Sequence, residues 1–226
     1  MKKFVAVILT SAILVSCGPA ARITKGERYS KMYEEQPVVL LVMPPINNSS
    51  SVEAKDLLYT SISKPLAEAG YYVISPLLSM DILRAESAYD AEMFAEASLE
   101  KFGQYFGADA VVFSQINSWT KKGFGIQTNL RYFIRSAKTG ETLFDRSCDL
   151  YLDCSENVSG NNSGLLGLVA DLAASAVNTA LTEHIKAARM ANYFILNDIP
   201  AGKYNPAFMQ DQEMEARPEH VKETVK

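Results

Sequence analysis

Histidine is almost absent from this chain, with two copies, His184 and His220, in 226 residues. Neither stands in a metal-ligand spacing or near a cysteine in sequence, so no metal site is expected. The signatures of common enzymes are missing too. There is no Gly-x-Ser-x-Gly nucleophile elbow and no Gly-x-x-x-x-Gly-Lys phosphate loop. Gly123-Phe124-Gly125 is a glycine pair without a third glycine, and it lies between two strand patterns, which predicts a hairpin loop. A basic excess is also lacking: 22 Lys and Arg face 26 Asp and Glu, for a formal net charge of -4. A nucleic-acid partner would require a basic face that releases counterions, so no such partner is expected. The same acidic balance argues against holding lipid head groups by charge.

What is present begins at the N-terminus. Lys2 and Lys3 precede an apolar run from Phe4 to Val15 that ends in Leu14-Val15-Ser16-Cys17, the layout of a secretory signal. The run is about a dozen residues, short of the roughly 20 that span a bilayer. A cysteine directly after a small residue distinguishes a lipoprotein signal from an ordinary one. The Cys17 thiol accepts diacylglycerol, and its freed amine can take a further fatty acyl chain such as palmitate, so more than one chain anchors the protein. Residues 1–16 are then removed, which takes two lysines and no acid and moves the charge from -4 to -6. Gly18 follows where an Asp would favour inner-membrane retention, so the expected location is the outer membrane, facing the periplasm, with the inner membrane as the alternative.

Cys148 and Cys154 remain in a compartment that permits disulfides. On one straight strand they would lie roughly 20 Å apart, against the roughly 4.4 to 6.8 Å between Cα atoms that a disulfide tolerates. A bond therefore needs the chain to turn back after Leu152. Two buried free thiols are the other possibility.

Residues 17–36 are polar and open with Gly18-Pro19 after the cysteine, which predicts a lipid-anchored tether in which Glu34-Glu35 are solvated charges. The body is expected over 37–204 as one α/β domain with a mixed sheet of about five strands. Val38 to Met43 reads as a strand covered on both faces. A helix follows with Leu58, Ile62 and Leu66 buried, interrupted at Pro65, which lacks an amide donor. Tyr71 to Ser75 closes a right-handed β-α-β start. After a mostly helical stretch from Leu77 to Phe106 come a strand at Asp109–Ile116, a half-exposed strand with Ile126, Thr128, Leu130, Tyr132 and Ile134 alternating, and an antiparallel partner at Thr142–Leu152. A long C-terminal helix is expected over Leu165–Ala188, packed on the sheet because Asp171, Asn178 and Glu183 interrupt its apolar stripe. His184 would sit at its exposed end. Trp119, Phe124, Tyr132 and Phe133, beside Lys121 and Lys122, read as core packing plus an exposed loop. Residues 205–226 gather acids and lose apolar residues, which predicts a disordered acidic tail.

Leu41-Val42-Met43-Pro44-Pro45-Ile46-Asn47-Asn48-Ser49, Pro65-Leu66-Ala67-Glu68-Ala69-Gly70-Tyr71-Tyr72-Val73, Phe106-Gly107-Ala108-Asp109-Ala110 and Thr139-Gly140-Glu141-Thr142-Leu143 together resemble the bacterial lipoprotein family of unknown function typified by a Neisseria genome-derived vaccine antigen. The likeness covers roughly residues 37–205 and includes the closing Gly202-Lys203-Tyr204-Asn205-Pro206. Phe144 stands where family members often carry tryptophan. The resemblance implies a fold similar to the TolB N-terminal domain and to the periplasmic domain of the curli-secretion pore lipoprotein, and a gene neighbourhood shared with a pore lipoprotein of that kind. It carries over no catalytic residue, cofactor or metal.

Three function classes follow in order. The first is a lipid-anchored periplasmic assembly or adaptor lipoprotein acting with an envelope lipoprotein of the curli-secretion pore type or with copies of itself. The second is a binding module for a small glycan or lipid. An envelope enzyme comes third, and the chain is read as not an enzyme.

Overall fold

The computed structural model describes residues 22–87, 90–155 and 176–226, with the backbone course alone for 176–181. Cys17 and the signal segment lie outside the described residues, as does the part of the Leu165–Ala188 helix before 176. The first described elements fall where a tether was expected. Thr24 and Glu27 form a capping box that starts α1 (Lys25–Arg28). Helix α2 (Ser30–Glu35) follows and ends at Gln36 in the left-handed region. Tyr29, Met32 and Tyr33 are buried in the main core, so the chain is folded from Thr24 onward rather than from Pro37.

The β-α-β start is as its apolar runs predict. β1 (Val39–Val42) is covered on both faces, with Leu40 and Val42 in one core and Leu41 in another. β2 (Ile46–Asn47) is a short addition that pairs parallel with Gln115 and Ile116 of a later strand. Pro65 divides the following helix into α3 (Val52–Ser61) and α4 (Ser63–Glu68), and Leu58, Ile62 and Leu66 are all buried. β3 (Tyr72–Val73) then pairs parallel to β1. The stretch expected to be mostly helical is broken into α5 (Pro76–Ala85), a 3-10 turn at Ala91–Met93 and α6 (Glu100–Phe106).

Three long strands form the rest of the sheet: β4 (Ala110–Lys122), β5 (Gly125–Ser136) and β6 (Thr142–Asp153), joined as antiparallel neighbours. A bulge between Ile116 and Ser118 shifts the alternation of β4 by one residue, so that Trp119 returns to the side that Ile116 faces. Phe124 is 75% exposed at the β4–β5 tip, while Trp119, Tyr132 and Phe133 are buried. Helix α7 (Ala176–Leu196) lies over β5 and β6 and also touches α3. It continues past Ala188, which leaves His184 inside the helix rather than at its end. Ala187, Ala188 and Ala191 let its backbone approach the sheet closely.

The C-terminal residues overturn the expected disordered tail. β7 (His220–Val225) pairs parallel to β6 and completes a seven-stranded mixed sheet with the order β3-β1-β4-β5-β6-β7 and β2 against β4. The preceding segment is strapped across α1 and α2. Asp211 accepts from Lys25 Nζ at 3.3 Å, Tyr33 at 3.0 Å and the Ala201 amide at 3.0 Å. Asp198 accepts from Tyr29 at 2.7 Å and the Arg217 amide at 2.9 Å. Both carboxylates are buried. Buried carboxylates are tolerated when hydrogen-bond donors surround them, and the side-chain donors Lys25, Tyr33 and Tyr29 come from 169 to 186 positions away.

Two buried polar side chains lock α7 in place. Arg146, facing inward from β6, donates through Nη1 to the carbonyls of Phe194 and Ile195 at 3.0 and 2.9 Å and to Asn197 at 2.8 Å. Those carbonyls belong to the last turn of α7, which has no internal partners for them. Asn192 accepts from the Tyr132 hydroxyl and donates to Leu58 O at 3.0 Å and Ser61 Oγ at 2.8 Å. Because truncation strands buried partners, Arg146→Ala and Asn192→Leu are each expected to lower unfolding free energy by about 3 kcal/mol. Urea denaturation should show this, with Phe124→Ala unchanged as the surface control.

Candidate functional site

The sheet has a covered face and a half-covered one. The main core fills the first; on the second, Leu83, Leu99 and Phe102 cover Leu41, Val111, Phe113 and Phe133. Beyond that cover, β4 to β7 present a row of polar side chains to solvent. Asn117, in the β4 bulge, accepts from Gln115 at 2.9 Å and donates to Asn129 at 2.6 Å; Asn129 in turn donates to Asp149 at 2.6 Å. Arg131 forks onto Asp145, at 2.9 Å through Nε, and lies over the Phe133 ring. The fork raises the Arg131 pKa, the hydrogen bond to Asp145 being the main cause.

The row ends in a serine, a histidine and an aspartate. Ser147 Oγ lies 3.0 Å from His220 Nδ1, and His220 Nε2 lies 3.2 Å from Asp149 Oδ2. The His220 side chain is 56% exposed, on a flat face whose strand backbones are engaged in the β5–β6–β7 ladder. Among the described residues no wall covers the trio, which bridges β6 and β7 as a clasp. The other histidine, His184, is half-buried and accepts a hydrogen bond from Trp119 Nε1 at 3.1 Å.

A second surface is apolar. On α5, Ser79 and Leu83 face inward, whereas Leu77 and Leu78 are 77% and 59% exposed and Ile82 is also in solvent. This helix directly follows β3, an edge of the sheet, where Tyr72 is exposed as well. Two concave sites among the described residues are small. A cleft of about 270 Å³ opens between Glu96–Glu100 and the Arg135–Gly140 turn, lined mostly by polar residues, and a space of about 10 Å³ lies under the strap beside Tyr33 and Tyr71. Ligand pockets run to roughly 300–1,000 Å³ with mainly apolar walls. Among the described residues no group of His, Cys, Asp and Glu could hold a metal ion, and no helix is long and apolar enough to cross a membrane.

The family described as "Putative lipoprotein GNA1162-like" matches residues 27–203. The chain belongs to this family. The GNA1162-like match is accompanied by similarity to the lipoprotein NMB1124/NMB1162 of Neisseria meningitidis serogroup B, 26% identical over 197 residues that cover 81% of this chain and 87% of that protein. Among solved structures, the lipoprotein GNA1162 from Neisseria meningitidis aligns with a TM-score of 0.45 and 27% identity, over 60% of this chain and 94% of that one. A PelC dodecamer from Paraburkholderia phytofirmans aligns at 0.34 and 10% identity, over 70% and 89%. The LpoB C-terminal domain from Escherichia coli aligns at 0.36 and 15%, over 55% and 93%.

Two stretches that carry the resemblance to GNA1162-like proteins meet in space. Gly202 N donates to Ala69 O at 2.8 Å, Tyr204 N to Gly70 O at 3.0 Å, and the Tyr71 hydroxyl to Pro200 O at 2.7 Å. Gly70 has φ +95°, and a Cβ on it would lie 2.4 Å from Asn205 N; one on Gly202 would lie 2.5 Å from Gly70 O. The motif glycines thus fasten the strap to the α4–β3 turn.

Of the residues singled out in sequence, Cys148 and Cys154 are both buried free thiols. The chain does not turn back after Leu152: β6 runs extended to Asp153, and Cys154 N continues beside the hairpin by donating to Phe124 O at 3.1 Å. The disulfide that a reversal would have allowed is therefore replaced by two thiols spaced along one strand. Arg146, Asn192, Asp198, Asp211 and Lys25 were missed. For Arg146 the signal was present, as a charged residue in phase with the inward-facing Phe144, Cys148 and Leu150. Burial pushes the Cys148 thiol from its ordinary 9.0 up to about 12, against the opposing pull of Arg146. Burial, and then hydrogen bonding to Asp198 and Asp211, likewise raises the Tyr29 and Tyr33 phenols.

A raised folded pKa means that the unfolded chain loses its proton first. The stabilisation from Cys148 is thus whole below pH 9.0 and lost between there and about pH 12, at up to about 1.4 kcal/mol per pH unit. Stability is expected to be flat below pH 9.0 and to fall above it, with the tyrosines adding to the fall. Cys148→Ala should flatten the first part of that fall in thermal melts. Two thiols should react with Ellman's reagent in denaturant without reductant, when Cys17 is lipidated or replaced.

Proposed function

We propose that the chain is a lipid-anchored assembly lipoprotein of the bacterial envelope: Cys17 carries the lipid, and the folded domain docks on another envelope lipoprotein or on copies of itself rather than performing chemistry. The outer membrane, facing the periplasm, is its proposed place, because Gly18 and not an acid follows Cys17. An envelope lipoprotein of the curli-secretion pore type is the proposed partner, on the strength of the family resemblance. The observation that carries the assembly reading is the outer side of α5, where Leu77, Leu78 and Ile82 stand in solvent together on one helix, whereas the other exposed aliphatic residues among those described, such as Ile23 and Val52, stand singly. Such side chains grouped on one element mark contact surfaces, and the polar row on β4–β7 offers a second, hydrogen-bonding face.

Crosslinking in intact cells, followed by recovery from gently solubilised membranes, tests this. The chain should be recovered in a defined complex, and Leu78→Asp combined with Ile82→Asp should abolish that complex while the thermal midpoint of the purified domain stays unchanged. Consistent recovery as a lone monomer contradicts the proposal. Cys17→Ser should release the folded domain into the soluble periplasmic fraction; retention at the membrane would reveal a second anchor.

A further inference from the structure

β7 is held differently from the other strands. It lies beyond residue 203, where the match to the GNA1162-like family ends. Among the described residues it pairs with β6 alone, His220–Val225 alongside Ser147–Leu152. Four of its six side chains are exposed, and only Val221 and Val225 lean on the main core, opposite Cys148 and Leu152. Beyond the ladder, its fastenings are the clasp of His220 between Ser147 and Asp149, the bond from Ser147 N to Glu219 O at 2.7 Å, and Arg28 to Glu219 at 2.9 Å.

The chain just before β7 is fixed far more firmly. Ala216 is buried and its amide donates to Ile23 O at 2.9 Å, and the Arg217 amide reaches the buried Asp198 at 2.9 Å. Only Pro218 and Glu219 separate that anchor from the strand. β7 can therefore leave without loosening the strap, and it would then uncover an edge on β6 whose Cys148, Leu150 and Leu152 face the main core. A free edge of that kind is a template for another strand.

We infer that the β6 edge is a strand-docking site, filled in the closed chain by its own β7, and that a second copy of this chain fills it by reciprocal exchange of β7. β7 is the strand whose fit is established here, with valines at the two inward positions and a histidine seated in the clasp. Each copy that opens presents one empty edge and one free strand, so two copies satisfy each other about a twofold axis. Closed and exchanged forms contain the same β6–β7 ladder and differ in hinge geometry and in the cost of association. The inference rests on the assembly reading and gives it a specific edge.

The test uses the chain with Cys17→Ser, so that it is soluble, and with Pro218 and Glu219 deleted, so that β7 cannot reach its own edge in register. Light scattering after size exclusion should show a dimer where the undeleted chain is mainly monomer. An excess of free peptide 218–226 should return the dimer to monomer, and Val221→Asp with Val225→Asp should prevent it. A deletion chain that stays monomeric overturns the inference, as does a dimer indifferent to the peptide and to the aspartates. If the deletion chain does not fold, the chain with an intact hinge and both aspartates takes its place. Its own strand no longer competes at high effective concentration, so it should bind labelled peptide 218–226 at least about tenfold more tightly than the unaltered chain. Equal binding, or unfolding of this variant too, makes β7 an integral strand and overturns the exchange. Complexes found by crosslinking in cells while the purified chain never exchanges would leave the assembly reading standing and remove only this edge from it.

Discussion

The guanidinium of Arg146 is where the parts of this domain meet. It projects from the middle strand of the β5–β6–β7 array into the main core, and one of its nitrogens donates to two carbonyls of the last turn of α7 and to the Asn197 side chain just beyond it. Without those donors the carbonyls of Phe194 and Ile195 would be buried and unpaired. The helix end must therefore lie over β6, and the chain leaving it must start from that point. Burial weakens the charge, lowering the Arg146 pKa, while Asp198 and Tyr29 nearby oppose the shift. The position of Asp198 in turn fixes Tyr29 and the Arg217 amide, and so both the entry of the chain into the domain and its exit toward β7.

The consequence is a domain closed by polar contacts at its periphery and by apolar packing at its centre. Asp211 with Lys25, Tyr33 and the Ala201 amide repeats the pattern of Asp198 with one more donor. Such buried networks contribute less net stability than their number suggests, because each charge gives up its hydration. They do make the strap unique in position: a shift by one residue would take Asp211 away from Lys25 and Tyr33 and the Arg217 amide away from Asp198. The tight passage of Gly202 against Gly70 has the same effect through backbone contact.

That rigidity bears on what the domain can do. Among the described residues the cleft beside Arg135–Gly140 is lined mostly by polar groups and the space under the strap is small, and the serine, histidine and aspartate that touch do so on an open sheet face. Its described surface includes an apolar helix side on α5, a polar row across four strands, and a lightly fastened strand at the sheet edge. A lipid on Cys17 would restrict such a domain to the membrane plane, where weak surfaces act at high local concentration.

Much of the interior was legible without coordinates. The alternation from Ile126 to Ile134, the doubly covered run at Leu40–Val42, the break at Pro65 and the hairpin at Gly123 each depend on neighbours within a few residues, and local periodicity records them. The lipoprotein layout around Cys17 is likewise a property of contiguous residues and belongs to the sequence alone. Residues 24–36 and 205–226 were different. Their apolar content is low, and what folds them is the pairing of Lys25 and Tyr33 with Asp211 and of Tyr29 with Asp198, across 169 to 186 residues. An acid read in a polar stretch looks solvated, and only the tertiary fold could supply the distant donors that bury it. The same holds for Cys148 and Cys154: spacing left both a bond and free thiols open, and the unbroken extension of β6 decided for the thiols.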